Sequence, residues 1–150
     1  MSQLAKDVMI KDVKTVKPKD TVKYAAKYFV DSKIGGAPVV DDDGRLVGLI
    51  SESDLISQDA KVHFPTYIHL LDSYIFIEST KRFEESLKRA AAATVEELMA
   101  KDVVTVSPDA TIEQVSTLMV DKHIGRIPVV DDDKVVGIIT KGDIVRTLSN

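Results

Sequence analysis

Two short segments carry residue types whose spacing could do chemistry: Ser51-Glu52-Ser53-Asp54 and Thr140-Lys141-Gly142-Asp143. Each sets a hydroxyl three residues before a carboxylate, just after an apolar run. That spacing is the capping-box pattern, in which hydroxyl and acid satisfy backbone N–H groups left free at a helix start. The same geometry suits a second task. A helix N-terminus offers N–H donors and positive dipole character to a phosphate. A carboxylate one turn in can accept two hydrogen bonds from vicinal ribose hydroxyls, each charge-assisted bond worth about 1.5–3 kcal/mol.

Other candidates carry less. The aspartate triplets at 41–43 and 131–133 lack the full ligand spacing of a calcium loop and read as solvated turn residues. His63, His69 and His123 are not at mutual metal-ligand spacing, and the chain has no cysteine to join them. No metal site is expected. No serine stands in a nucleophile elbow, and no glycine loop of the P-loop type cradles a phosphate. With no nucleophile, metal set or general-base pair, no catalytic residue is assigned and enzymatic action is not expected.

The elements that position these segments come in duplicate. Residues 9–56 reappear as 99–145, with Gly44 unpaired, and 22 of the 47 paired positions are identical. One unit has been copied, and a copied unit packs on its twin about a pseudo-twofold axis. Each copy reads as strand, helix, strand, strand, helix. Thr15-Val16 is a short extended segment before Pro18, and Val22, Ala25, Ala26, Phe29 and Val30 then mark one helical face. Ile112, Val115, Leu118 and Met119 do the same after Pro108. The apolar stretches on either side of each aspartate triplet predict a hairpin, and residues 52–57 and 141–148 a closing helix.

Residues 58–93 have no counterpart. The segment 81–93 reads as helical, with Glu84–Lys88 and Glu85–Arg89 at i, i+4. Five of the eight Phe and Tyr residues fall between 64 and 83, so a folded insertion is expected, serving as core or dimer contact or as a lid. Thr94-x-x-Glu97 predicts a capping box that restarts the second copy.

Bulk properties narrow the class. A 150-residue chain that is 44% hydrophobic can bury about 70% of its unfolded surface, whereas one copy alone would be marginal. Net charge is −4 with no basic run, which argues against nucleic acid as the main partner. No apolar run reaches the ~18 residues of a membrane span and no signal-peptide core is present, so a cytoplasmic protein is expected.

Taken together, the arrangement resembles the CBS domain family, whose tandem copies form a Bateman module. The matching residues are Thr15-Val16-x-Pro18, Ile34-Gly35-x-x-Pro38-Val39-Val40, Val47-Gly48-Leu49-Ile50 and Ser51-x-x-Asp54. Thr105-Val106-x-Pro108, Ile124-Gly125-x-x-Pro128-Val129-Val130, Val136-Gly137-Ile138-Ile139 and Thr140-x-x-Asp143 repeat them in order. The resemblance implies an α/β fold of two pseudo-twofold-related β-α-β-β-α repeats, at 1–57 and 94–150, around a helical insertion at 58–93. It also implies clefts between the repeats for adenosine-containing ligands: AMP, ADP, ATP or S-adenosylmethionine.

Carried over by position, Asp54 and Asp143 would hold ribose hydroxyls, with Ser51 and Thr140 near ribose or phosphate. Ile34, Gly36 and Pro38, and Ile124, Ile127 and Pro128, would line adenine pockets floored by Thr15-Val16 and Thr105-Val106. The basic residue expected two before the proline is Arg126 in the second copy but Gly36 in the first, so the site reached by Arg126 should dominate for charged nucleotides. Since the copies face each other, Arg126 could serve a ligand whose ribose rests on Asp54. Lys141 attracts phosphate where Glu52 repels it, and His123 is a further candidate, with helix-end histidine as the plain reading.

The function expected is a non-catalytic regulatory module for energy sensing. AMP, ADP or ATP would be a regulatory ligand and not a required cofactor. The module would pair as a homodimer through its helices and signal to an effector protein that the sequence does not name, with no membrane partner. The alternatives are a ligand-independent interaction or dimerisation module, whose Ser/Thr-x-x-Asp elements only cap helices, and an S-adenosylmethionine sensor.

Overall fold

The computed structural model describes residues 3–56, 67–70, 73–76, 81, 84–85 and 93–150. In the first repeat, α1 (Ala5–Val8) leads to α2 (Val22–Ser32), β1 (Gly36–Val40), β2 (Leu46–Ser51) and α3 (Glu52–Ile56). Strands β3 (Tyr67–Leu70) and β4 (Ser73–Phe76) follow. The second repeat comprises α4 (Val95–Leu98), α5 (Ile112–Lys122), β5 (Arg126–Asp131), β6 (Lys134–Thr140) and α6 (Lys141–Leu148). The α/β architecture read from the duplication is the one observed.

Local chemistry explains the ends of the long helices. Tyr24 N–H donates to Thr21 Oγ1 at 3.0 Å, and Gln114 N–H to Thr111 Oγ1 at 3.2 Å, so each threonine caps an orphan donor. Lys33 and His123 close these helices in the left-handed conformation, both at φ 56°. Each hairpin is antiparallel, and a short segment pairs parallel beside it through Val16–Val39 and Val106–Val129.

The hairpin turns explain the unpaired glycine. In the first, Asp41 Oδ1 accepts from Asp43 N–H and Arg45 N–H, both at 2.9 Å, and Gly44 takes φ 82°. In the second, Asp132 and Asp133 carry positive φ (53° and 65°), a two-residue turn that needs no added glycine. The two tips then pair with each other: Leu46 N–H donates to Asp133 O at 3.1 Å and Val135 N–H to Gly44 O at 3.3 Å.

Each lobe is completed by the segment that precedes the other repeat. Ala5 N–H donates to Ala110 O (2.7 Å) and Lys6 N–H to Pro108 O (2.9 Å), while Ile10 pairs with Ile138. Ala5 and Met9 join Val115, Met119, Ile127, Val129 and Ile139 in one core. Reciprocally, Val95 N–H donates to Asp20 O (2.8 Å), Glu96 N–H to Pro18 O (3.0 Å), and Leu49 pairs with Ala100. Val95, Leu98 and Met99 complete the core of Val16, Ala25, Phe29, Val39 and Ile50.

Three local expectations change. The insertion contains the hairpin β3–β4 and is not purely helical, because Tyr67-Ile-His-Leu and Ser-Tyr-Ile-Phe are rich in β-branched and aromatic residues. Lys81, Glu84 and Glu85 are helical as expected; Lys88 and Arg89, their i, i+4 partners, and Ser57 lie outside the described residues. Thr94 does not form the reciprocal box, since its hydroxyl donates to Glu97 Oε1 at 3.1 Å and no side-chain cap bond reaches the backbone. Val30, assigned to the buried face, is 76% exposed.

Two predictions follow from the arms and turns. A Cβ at Gly48 would lie 2.5 Å from Met99 Sδ and 3.0 Å from Ala100 O, and one at Gly137 would collide with Met9. Gly48→Ala and Gly137→Ala should each cost about 1–3 kcal/mol in urea unfolding. The second concerns acid. Hydrogen bonding by Arg45 N–H, foremost, holds the Asp41 carboxyl below its ordinary 3.8. A depressed folded-state value makes this contribution complete above pH ~4 and lost as pH falls through the folded value. Asp41→Ala should therefore flatten the decline of stability in that acid range, as followed by circular dichroism.

Candidate functional site

Both hydroxyl–acid segments form helix starts. At Thr140, Asp143 N–H donates to Oγ1 at 3.3 Å, while Thr140 N–H and Oγ1 donate to Asp143 Oδ2 at 2.8 and 3.0 Å. At Ser51, Asp54 N–H donates to Oγ at 3.3 Å, and Ser51 N–H and Oγ donate to Asp54 Oδ2 at 2.8 and 3.1 Å. One carboxylate oxygen in each copy therefore serves the cap. Asp143 is 4% exposed, the one buried charged side chain among the described residues. Its Oδ1 accepts from Arg146 Nη2, one turn along α6. That pairing supplies the countercharge a buried carboxylate requires. The reading of the sequence passed over Arg146, although an Asp–Arg pair at i, i+3 was there to find.

A cleft of about 250 Å³ opens at the seam between the repeats, lined from both sides. Its apolar walls are Ile10, Ile34 and Ile138. Lys14, Lys33 and Arg126 contribute cations, Asp12 one acid, and Thr140 a hydroxyl at the start of α6. Folding explains this convergence. The Ile10–Ile138 pairing brings the first arm onto the second lobe, carrying Asp12 and Lys14 with it. Lys33 ends α2, and Gly35 and Gly36 lead into β1. Arg126 opens β5 and reaches across the seam onto these glycines. A Cβ at Gly36 would stand 2.6 Å from Arg126 Nη1, and one at Gly35 2.9 Å from Nη2. The small residue in the first copy makes room for the large one in the second.

The cleft is electrostatically one-sided. Lys14 pairs with Asp12 at 3.2 Å, whereas the Arg126 guanidinium makes no hydrogen bond or ion pair among the described residues. Three cations against one acid give the lining of this small concavity a positive balance.

Of the residues singled out from sequence, Ile34, Gly36, Arg126 and Thr140 line this cleft. Val16, Pro38, Val106, Ile127 and Pro128 are buried in the cores, with Thr15 and Thr105 beside them at the surface. Ile124 packs against the second core. His123 and Lys141 line a different hollow, between α5 and α6. Ile10, Asp12, Lys14, Lys33 and Ile138 were not anticipated in the cleft. The recurrence of Lys-Asp-Val at 11–13 and 101–103 marked that stretch without assigning it a task. No group of His, Asp and Glu able to hold a metal occurs among the described residues.

Since Asp143 is buried and caps α6, Asp143→Ala should cost about 1–3 kcal/mol without any ligand, in chemical denaturation at neutral pH. Arg146→Ala should also destabilise, and Arg146→Lys should recover part of the loss.

The chain matches the CBS domain family over residues 5–61 and 95–150. It is 35% identical to the uncharacterized protein MJ1426 of Methanocaldococcus jannaschii, across 97% of this chain and 90% of that one. It is similar to a solved structure of CBSX2 in complex with AMP, a protein of Arabidopsis thaliana (27% identity, 97% of this chain and 96% of that one, TM-score 0.74). It is equally similar to the CBS domain pair of protein MJ0100 in complex with 5-methylthioadenosine and S-adenosyl-L-methionine, from a structure at 28% identity, 99% and 98% coverage and TM-score 0.72. No helix among the described residues is long and apolar enough to cross a membrane. With both repeats matched and the seam cleft between them, this chain belongs to the CBS domain family as a tandem pair, a non-catalytic regulatory module.

Proposed function

We propose that this CBS pair is a sensor that binds an adenine nucleotide (AMP, ADP or ATP) in the seam cleft and passes its occupancy to an effector protein. The observation that carries this reading is the unpaired Arg126 guanidinium, set with Lys14 and Lys33 opposite Thr140 in a cleft with isoleucine walls. The isoleucines suit a flat base, and the cations suit phosphate. Asp143, one turn into α6, offers its carboxylate to the ribose if Arg146 yields or shares Oδ1. The similarity to CBSX2, solved with AMP, supports the ligand class.

The two halves of the seam are unequal. The repeat offset puts Val104 where Lys14 stands and His123 where Lys33 stands. The counterpart cleft, beside Ser51 and Asp54, would therefore lack both lysines, and we assign the tighter nucleotide site to the Thr140 side. This differs from the pairing of Arg126 with Asp54 considered from sequence. The same charge argues against S-adenosylmethionine, the ligand of the MJ0100 pair, because its sulfonium would meet three cations. We place the protein in the cytoplasm, where these nucleotides signal energy state, acting as a homodimer.

A second reading has its own support. Both acids make complete helix caps with one oxygen, as they would in a ligand-independent interaction module.

Thermal unfolding separates the two. At 100 times its dissociation constant, a bound nucleotide adds about 2.7 kcal/mol of stability. AMP, ADP or ATP should raise Tm accordingly, while adenosine does so weakly and S-adenosylmethionine not at all. Arg126→Ala should weaken nucleotide binding by about 10- to 100-fold, the equivalent of one charge-assisted bond. No shift with any of the three nucleotides at millimolar concentration would favour the ligand-independent module.

A further inference from the structure

We propose that Met9 and Met99 are modification sites, whose thioethers a hydroperoxide oxidises to sulfoxides, and that this oxidation loosens the exchanged arms.

Cysteine and tryptophan are both absent, so the softest oxidisable groups of the chain are its four methionines. Met1 lies outside the described residues. Met119 is 5% exposed within the second core. Met9 and Met99 are only partly buried, one following the short helix of each arm, and the repeat offset makes them counterparts. Oxidation of a thioether needs contact with the oxidant, so these two meet it before Met119 does.

Their setting makes an added oxygen costly. Met9 lays its thioether over Gly137, where a Cβ would stand 2.6 Å from Met9 Cγ and nearer still to Sδ. Met99 covers Gly48 in the same way, its Sδ 2.5 Å from where a Cβ would be. Each sulfur fills the space that the glycine leaves, with no room on that side for a further atom. A sulfoxide oxygen turned instead toward the apolar core against which the methionine packs would go without hydrogen bonds. The arm must shift outward to solvate it.

The step is a two-electron transfer. A lone pair on Sδ attacks the outer oxygen of the hydroperoxide, and the O–O bond breaks. Sulfur gains that oxygen and is oxidised. The peroxide is reduced, its remaining oxygen taking up the hydroperoxide's own proton and leaving as alcohol or water.

Position decides which half of the seam responds. Met9 directly precedes Ile10, whose pairing with Ile138 carries Asp12 and Lys14 into the seam cleft. Met99 precedes Ala100, which exchanges two 2.9 Å backbone bonds with Leu49 of the first repeat. Oxidation at Met9 therefore reaches the cleft lined by Lys14 and Arg126, and oxidation at Met99 the opposite half. Its effect on nucleotide binding rests on the sensor reading; the oxidation and the loosening of the arms do not.

The test treats the ligand-free full chain with millimolar hydrogen peroxide. Peptide mass mapping should find one added oxygen at Met9 and at Met99 about tenfold sooner than at Met119. The oxidised protein should unfold at lower urea, and methionine sulfoxide reductases acting on both epimers should restore the midpoint. The Met9→Leu/Met99→Leu variant, which conserves volume and apolarity, should keep its own midpoint through the same treatment. After peroxide, Met9→Leu alone should retain its affinity for AMP, whereas Met99→Leu, with Met9 still oxidisable, should lose about tenfold. Oxygen uptake at Met9 and Met99 no faster than at Met119 would overturn the proposal. So would an unchanged midpoint after oxidation, or a double leucine variant that peroxide destabilises as much as the wild type. Equal AMP affinity in the two oxidised single variants would overturn the assignment to halves of the seam. If the untreated protein binds no AMP, the sensor reading fails, while mapping and unfolding still decide the oxidation sites.

Discussion

The exchange of arms between the repeats is the constraint on which the rest of the molecule depends. Residues 3–10 supply Ala5 and Met9 to the second core, and residues 93–100 supply Val95 and Met99 to the first. Neither core is complete without the other repeat's approach segment. The backbone bonds from Ala5 to Ala110 and from Val95 to Asp20 make the docking specific as well as apolar. Gly48 and Gly137 have no side chain because a methionine thioether occupies that space. The seam cleft is a by-product of this exchange, since the arm that pairs Ile10 with Ile138 also delivers Asp12 and Lys14. Burial thus fixes where chemistry can occur.

On that shared frame the two copies have diverged where charge matters. Hydrophobic matches such as Val16 with Val106 and Val39 with Val129 hold the cores alike. Lys14 against Val104, Gly36 against Arg126 and Glu52 against Lys141 do not. The Gly36–Arg126 difference is a single steric arrangement, because a side chain at 36 would occupy the place of the guanidinium. Cations gathered on one side of the seam make the two halves unequal for any anion, however symmetric the backbone.

The hydroxyl–acid segments are engaged as structural devices, so any binding role must share their atoms. The Asp143 carboxylate caps α6 through Oδ2 and meets Arg146 through Oδ1. A ligand that engages this acid must therefore work against an existing pair. In exchange it acts on the first turn of a helix whose outer face is exposed at Val145. The cap residue Thr140, which lines the seam cleft, and the exposed Val145 thus stand on the same eight-residue helix.

Read alone, the sequence determined the duplication, the long helix and the hairpin of each copy, and the hydroxyl–acid boxes at Ser51 and Thr140. All of these follow from contacts within a few residues, where period and capping chemistry are decisive. Ile34, Gly36, Arg126 and Thr140 were each marked as candidates by the resemblance of the copied motifs to the CBS family, but not as one group, since Arg126 was set with Asp54. Tertiary structure alone decided which arm completes which core, and hence that Ile10, Asp12, Lys14, Lys33 and Ile138 join them. It also decided that Val30 faces outward and that His123 and Lys141 lie on an outer hollow, apart from Arg126. Neighbours across a seam are set by how whole surfaces fit, and one-dimensional spacing contains no term for the distance between residues a hundred positions apart.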